Sequence, residues 1–170
     1  MATLTPNYSA SSALTITLAS LATSSGLTVG VESNQVDNTT NKYVDALLEG
    51  FITVGTTPTT STQILIYVWG SNVSLATTAK DTLVGSNAAR TITSAGVLAG
   101  ILSIAKILSV DSATSNRRYD FSDISVAAQL GLPSLPPFWG VFVTHNTAVN
   151  LNATGGNQAL SFSGLKYDIA

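Results

Sequence analysis

The chain predicts an all-β fold, a sandwich or a barrel, and three observations carry that expectation. Residues 43–54 alternate: Val44, Ala46, Leu48, Gly50, Ile52 and Val54 share one parity and Asp45, Glu49 and Thr53 the other, the signature of a strand with one buried face. Gln63 to Trp69 is apolar on both parities after its first residue, so both faces of that strand need cover. Similar short apolar stretches, about eight in all, recur along the chain between turns of Gly, Asn, Ser and Thr. A helix competes for part of the first stretch, because Val44, Leu47, Leu48 and Phe51 also fall at i, i+3, i+4 and i+7 behind Asn41. The strand is preferred, since the alternation runs unbroken past Gly50.

Taken in order, Met1 to Ser12 is polar, contains Pro6 and reads as an N-terminal arm, with the sandwich domain spanning 13–170. Leu14, Ile16 and Leu18 alternate with threonines as a first strand, and Leu27, Val29 and Val31 follow as a second, with Glu32 at its end. An Asn- and Thr-rich loop leads to the two strands already described, which Gly55 and Pro58 separate by a turn. From Ser71 to Thr93 the pattern dissolves; a loop of that length in a compact domain is uncommon and marks a contact or insertion region. Ser94 to Val110 fits a helix through Val97, Leu98, Ile101, Leu102, Ala105 and Leu108, and a strand through Leu102, Ile104, Leu108 and Val110; a strand over 101–110 is expected. Arg117 to Val126 is the next strand. One helical turn at 127–130 then stops at Gly131 and the prolines 133, 136 and 137. Phe138 to His145 is a dense apolar strand, and Ala159 to Tyr167 is the last.

The 170 residues carry a net charge of −2 and only 9% charged side chains, while Ser and Thr supply about a quarter of the chain. Such a neutral, hydroxyl-rich surface gives no reason to expect nucleic acid, which needs basic clusters to displace counterions. Arg117 and Arg118, the only basic pair, point to opposite faces of a strand and suit an interface or a structural pair better than a phosphate clamp. With no cysteine there is no disulfide framework and no thiolate metal site. No basic leader and no apolar run near 20 residues is present, so the chain is expected to be made in the cytosol, with no membrane partner. Sequons at Asn38, Asn72 and Asn152 are what so many Ser and Thr residues produce by chance.

Chemistry-bearing patterns are sparse, and no enzyme and no cofactor is expected. His145 stands alone at a strand end, where a turn or surface role is usual, and no Gly-x-Ser-x-Gly elbow accompanies it. Glu32 and Glu49 are a formal carboxylate pair, but on strands both are expected to be solvated. Trp69 and Trp139 could stack on sugars, yet each lies within a dense apolar strand and fits core or interface better. The second face of the 63–69 strand, carrying Leu65, Tyr67 and Trp69, needs either a further layer of the domain or a neighbouring subunit. The candidate interface residues are therefore Leu65, Tyr67, Trp69, Arg117, Arg118 and Trp139.

Two segments, Asn38-Thr39-Thr40-Asn41-Lys42-Tyr43-Val44-Asp45-Ala46-Leu47-Leu48-Glu49-Gly50-Phe51-Ile52-Thr53-Val54-Gly55 and Trp139-Gly140-Val141-Phe142-Val143-Thr144-His145-Asn146, resemble small structural proteins of tailed bacteriophages, nearest the jelly-roll head decoration, or cement, proteins. The likeness spans about 36–70 and 136–167. It implies a single jelly-roll-like antiparallel sandwich that assembles as a homotrimer on the outer capsid surface, bridging major capsid protein subunits against the pressure of packaged DNA. A tail, baseplate or fibre component, with a carbohydrate ligand, is the alternative. The resemblance carries no site residue over.

Overall fold

The computed structural model describes residues 3–169. Eleven strands, two helices and one 3₁₀ turn follow in chain order: β1 Leu4–Tyr8, β2 Ser12–Ala13, β3 Val29–Glu32, β4 Val36–Asp37, β5 Asp45–Thr53, β6 Thr62–Ser71, β7 Ala88–Thr91, α1 Ala95–Ile101, β8 Ser103–Val110, β9 Arg118–Ser125, α2 Val126–Gln129, β10 Phe138–His145, the turn Gly155–Asn157, and β11 Gln158–Ile169.

The strands form two antiparallel sheets. Sheet A runs β1-β11-β5-β9, with β2 also on β11; sheet B runs β7-β3-β10-β6-β8, with β4 also on β10. β1 and β2 lie along the same edge of β11, and one extra residue slips the register between Tyr8↔Leu165 and Ser12↔Phe162, so they form one bulged strand. β3 and β4 share β10 in the same way. Counted thus, and with the short β7 set aside, eight principal strands lie in the orders 1-8-3-6 and 2-7-4-5. That is the jelly roll, two packed sheets built from Greek keys.

The alternation read at 43–54 positions the main core. Ala46, Leu48, Ile52 and Val54 are fully buried between the sheets against Ile64, Ile66, Val68, Trp139, Val141 and Val143. The two-sided 63–69 strand is β6, at the centre of sheet B between β10 and β8. Its other face, with Leu65, Tyr67, Trp69 and the neighbouring Phe142, is roofed by Leu75, Leu83, Ile92, Leu98 and Leu102. These come from the 72–102 insertion between β6 and β8. The 71–93 stretch, expected as a loop, is thus a second layer of the domain, with β7 paired to β3 inside it. It is pinned by the Lys80 ammonium on the Gly70 carbonyl, and by Asp81 accepting from Thr93.

Helix and strand divide 94–110, but the expected single strand face does not form, because a bulge leaves Ile104 exposed while Leu108 and Val110 are buried. Ser94 caps α1 by accepting from the Val97 N–H, the helix lays Leu98 on sheet B, and the chain becomes extended at Leu102 to enter β8. Two further expectations change. Leu14, Ile16 and Leu18 do alternate inward, but the segment is not laddered: it crosses from β11, through Leu14 N–H to Leu160 O, toward sheet B, where Thr15 O accepts from Asn34. Within the expected arm, Met1 and Ala2 lie outside the described residues, and residues 4–8 and 12–13 are paired strands of sheet A, not a free segment.

Candidate functional site

The two outer faces of the sandwich differ. Sheet B is roofed over β6 and β10, with Ile104 and Ile107 of its edge strand β8 left nearly half exposed, whereas sheet A presents side chains of β5, β9 and β11 directly to solvent. Cross-strand partners place Glu49 beside Ser161 and Phe51 beside both Ala159 and Asp120 on that face. A bulge between Leu48 and Gly50 shifts the β5–β9 register there. A Cβ at Gly50 would collide with the Ala159 carbonyl, so the glycine permits the close approach of β11. The result is a shallow depression of about 430 Å³ lined by Glu49, Phe51, Arg118, Asp120, Ser122 and Ser161.

Its polar groups are already engaged with one another. Arg118 donates through Nε at 2.8 Å and Nη2 at 2.5 Å to Asp120, and its guanidinium lies 3.5 Å above the Phe51 ring centroid. Glu49 accepts from Ser11 Oγ at 3.3 Å and Ser161 Oγ at 3.2 Å. The face therefore offers both signs of charge and hydroxyls on a shallow, rigid sheet, chemistry suited to a polar protein surface. It offers no bare aromatic face, because the arginine covers Phe51.

The sequence-predicted residues fall into two groups. Arg117 and Arg118 are exposed and on opposite sides of the chain as expected; Arg117 pairs with Asp111 at 3.2 Å and lies over the Tyr119 ring. Tyr119 donates to Asp111, and its hydroxyl is held above the ordinary tyrosine range, first by burial and then by that hydrogen bond. The four apolar candidates are withdrawn from any surface. Leu65, Tyr67 and Trp69 lie under the second layer, where burial pushes the Tyr67 hydroxyl above its usual range. Trp139 stands edge-on to Phe162 at 5.0 Å in the main core. The cover that their apolar pattern demanded comes from this chain itself.

Two titratable residues expected at the surface are buried. Glu32 has no exposed surface, and its carboxylate accepts from the Val84, Gly85 and Ser86 N–H groups at 3.2–3.3 Å and from Arg90 Nε at 2.8 Å. It clasps the second layer to sheet B. His145 is likewise buried: Nε2 lies 2.9 Å from the Leu21 carbonyl, which can only accept and so fixes a proton there, and Nδ1 lies 3.0 Å from Thr147 Oγ1. Burial holds its pKa below the ordinary histidine value, against the smaller opposing effect of the Leu21 carbonyl. Asn38, one of the sequons, is buried too and bridges both the N–H and the C=O of Tyr43. What sequence reasoning missed is at the edges: Leu4, Tyr8 and Tyr167 are large, apolar and more than half exposed on β1 and β11.

No family model, no curated protein and no solved structure matches the chain.

Proposed function

We propose that the protein is a structural subunit that seats on a repeating protein lattice, as a decoration protein on the outside of a tailed-phage head, with the open face of sheet A turned to the major capsid protein. The observation that carries this reading is the asymmetry of the sandwich. The chain's own insertion roofs the centre of one sheet, leaving only the edge strand β8 open, and the other sheet leaves a shallow face of paired charges and hydroxyls uncovered. Such a face forms many weak contacts, and symmetric repetition on a lattice adds them into firm attachment. Jelly rolls serve both capsid and lectin domains, so the fold alone does not choose between them. The sugar-binding alternative depended on Trp69 and Trp139, and both are enclosed.

Peptide counting against the major shell protein in purified particles tests the assignment. Hundreds of copies in fixed ratio support it; a handful moves the protein to the tail, and absence refutes a virion role. Reversing charges on the open face, as Glu49→Lys with Arg118→Glu, is expected to lower particle binding about tenfold while leaving the fold intact. Unchanged binding would remove that face from the contact.

A further inference from the structure

β1 and the end of β11 form a ribbon that runs past the sandwich. β5 accompanies β11 only as far as Leu165, and beyond it β11 pairs with β1 alone. All five residues of β1 are exposed. A two-stranded ribbon in water is marginal by itself, and this one is amphipathic, its apolar side continuing the outer face of β11 that carries Ser161. Leu4, Pro6 and Tyr8 share a face with Leu165 and Tyr167, the partners of Tyr8 and Pro6; Thr5 and Asn7 share the other with Lys166 and Asp168. The polar face satisfies itself. Asn7 donates to Asp168 at 2.5 Å and Lys166 lies 3.5 Å from the same carboxylate, which these contacts hold below the usual carboxylate range. The apolar face does not: Leu4, Tyr8 and Tyr167 are 64%, 55% and 53% exposed.

The free edge of β1 is blunted. The Ser9 N–H donates to the Gly164 carbonyl, so by alternation the odd-numbered N–H groups of this strand face β11 and the even-numbered ones face outward. Pro6 sits in the middle of the outward set and has no N–H. Strand addition at this edge is interrupted at its centre, and the remaining way to bury the ribbon is through its face.

We propose that this face is a self-association site that packs against the same face of a second copy across a two-fold axis. A second copy fits because the face carries no ionisable side chain other than the tyrosine hydroxyls. Two identical apolar faces meet without like charges opposed, while Lys166 and Asp168 point away. The three most exposed side chains present roughly 350 Å² per copy, and Pro6 and Leu165 extend this, so a pair buries on the order of 800–1,000 Å², below the roughly 1,200 Å² of stable interfaces and within the range of weak, transient ones. The dimer is accordingly weak, forming at tens to hundreds of micromolar or wherever copies are held close together. The contact is isologous and makes pairs, not the trimer implied by the phage resemblance. It does not depend on the proposed lattice role.

The test is sedimentation velocity on the full chain from about 5 to 500 µM. The expected result is a monomer of 17.5 kDa that shifts toward twice that mass with rising concentration, with the midpoint raised at least about tenfold by Tyr8→Ser with Tyr167→Ser. Circular dichroism and the melting temperature of that variant check that it folds. The chain has no cysteine, so Pro6→Cys supplies a single thiol on the apolar face; oxidation is expected to trap a covalent dimer in concentrated protein and to fail once Tyr8 and Tyr167 are replaced. A monomer at every concentration overturns the proposal, as does an oligomer indifferent to the double variant. A monomer that needs Tyr8 and Tyr167 to bind particles also overturns it, and gives the face to a different protein.

Discussion

Replacing Glu32 by Gln is expected to loosen the second layer selectively. The carboxylate receives three backbone N–H groups and Arg90 with no water access of its own. A glutamine of the same shape has one acceptor oxygen, and its NH₂ would face groups that themselves donate. At 3.2–3.3 Å the amide bonds are long, so those lost with one oxygen cost about 1 kcal/mol, and a buried NH₂ set against donors adds about 2 kcal/mol, for about 3 kcal/mol in all. For a chain of this size that corresponds to roughly 6–12 °C in melting temperature. Arg90 is partly exposed, with 21% of its side chain accessible, so Arg90→Met leaves the carboxylate in its cradle of amides with water able to replace the guanidinium. About 1 kcal/mol is expected there. Urea denaturation gives both values, and amide hydrogen exchange locates them: Glu32→Gln should accelerate Val84, Gly85 and Ser86 while leaving β5 and β10 protected. An Arg90→Met penalty as large as that of Glu32→Gln would refute this reasoning, because the ion pair and not the three amides would then be the clasp.

Other outcomes follow from the same packing. The folded protein resists protonating His145, whereas the unfolded chain takes up that proton near pH 6.5; stability should therefore fall as pH drops below about 6.5, and His145→Gln should flatten that part of the pH profile while lowering stability throughout. Gly140→Ala drives a Cβ to 2.5 Å from the buried Trp69 ring and should cost about 1–3 kcal/mol, whereas Gly100→Ala, in open space inside α1, should add up to about 1 kcal/mol; paired denaturation curves compare them. Leu83→Ala should cost about 2–4 kcal/mol and shift part of the tryptophan emission to the red, since it opens the roof over Trp69, whose indole N–H has no partner, and leaves Trp139 enclosed. A uniform shift of both tryptophans would instead mean that the two cores loosen together.

The sheets were legible because their signal is local. Alternation at 43–54 and two-sided apolarity at 63–69 each need only one strand's own residues, and both survive in the burial of β5 and β6. The roof was not legible. Its anchors, Leu75, Leu83 and Ile92, stand eight and nine residues apart in a Thr- and Ala-rich stretch, too sparse and too uneven to show a strand or helix period. Glu32 was misread for the same reason, since its burial comes from amides more than fifty residues downstream. Leu14 to Leu18 shows the converse error: alternate burial does not require a ladder, and a crossing segment produces it too. On the open face, Arg118 was singled out from sequence, but its stacking on Phe51 depends on β5–β9 pairing that no local pattern reveals. The exposed ribbon was hidden because Leu4 and Tyr8 lie 157 or more residues from their strand partners.

The pairing of Leu4 with Ile169 also has a mechanical consequence. Both ends of the described chain leave the same tip of an antiparallel ribbon, so a pull applied between them loads the β1–β11 ladder one rung at a time, like a zipper, and not all rungs together in shear. Tension from anything tethered at either end would peel five residue pairs at low force. It would then meet the bulge before β2, and beyond that the eight paired positions that β11 shares with β5. The ribbon is therefore a fuse. It extends and gives way before the sandwich is strained, and a load carried by the open face of sheet A bypasses it altogether.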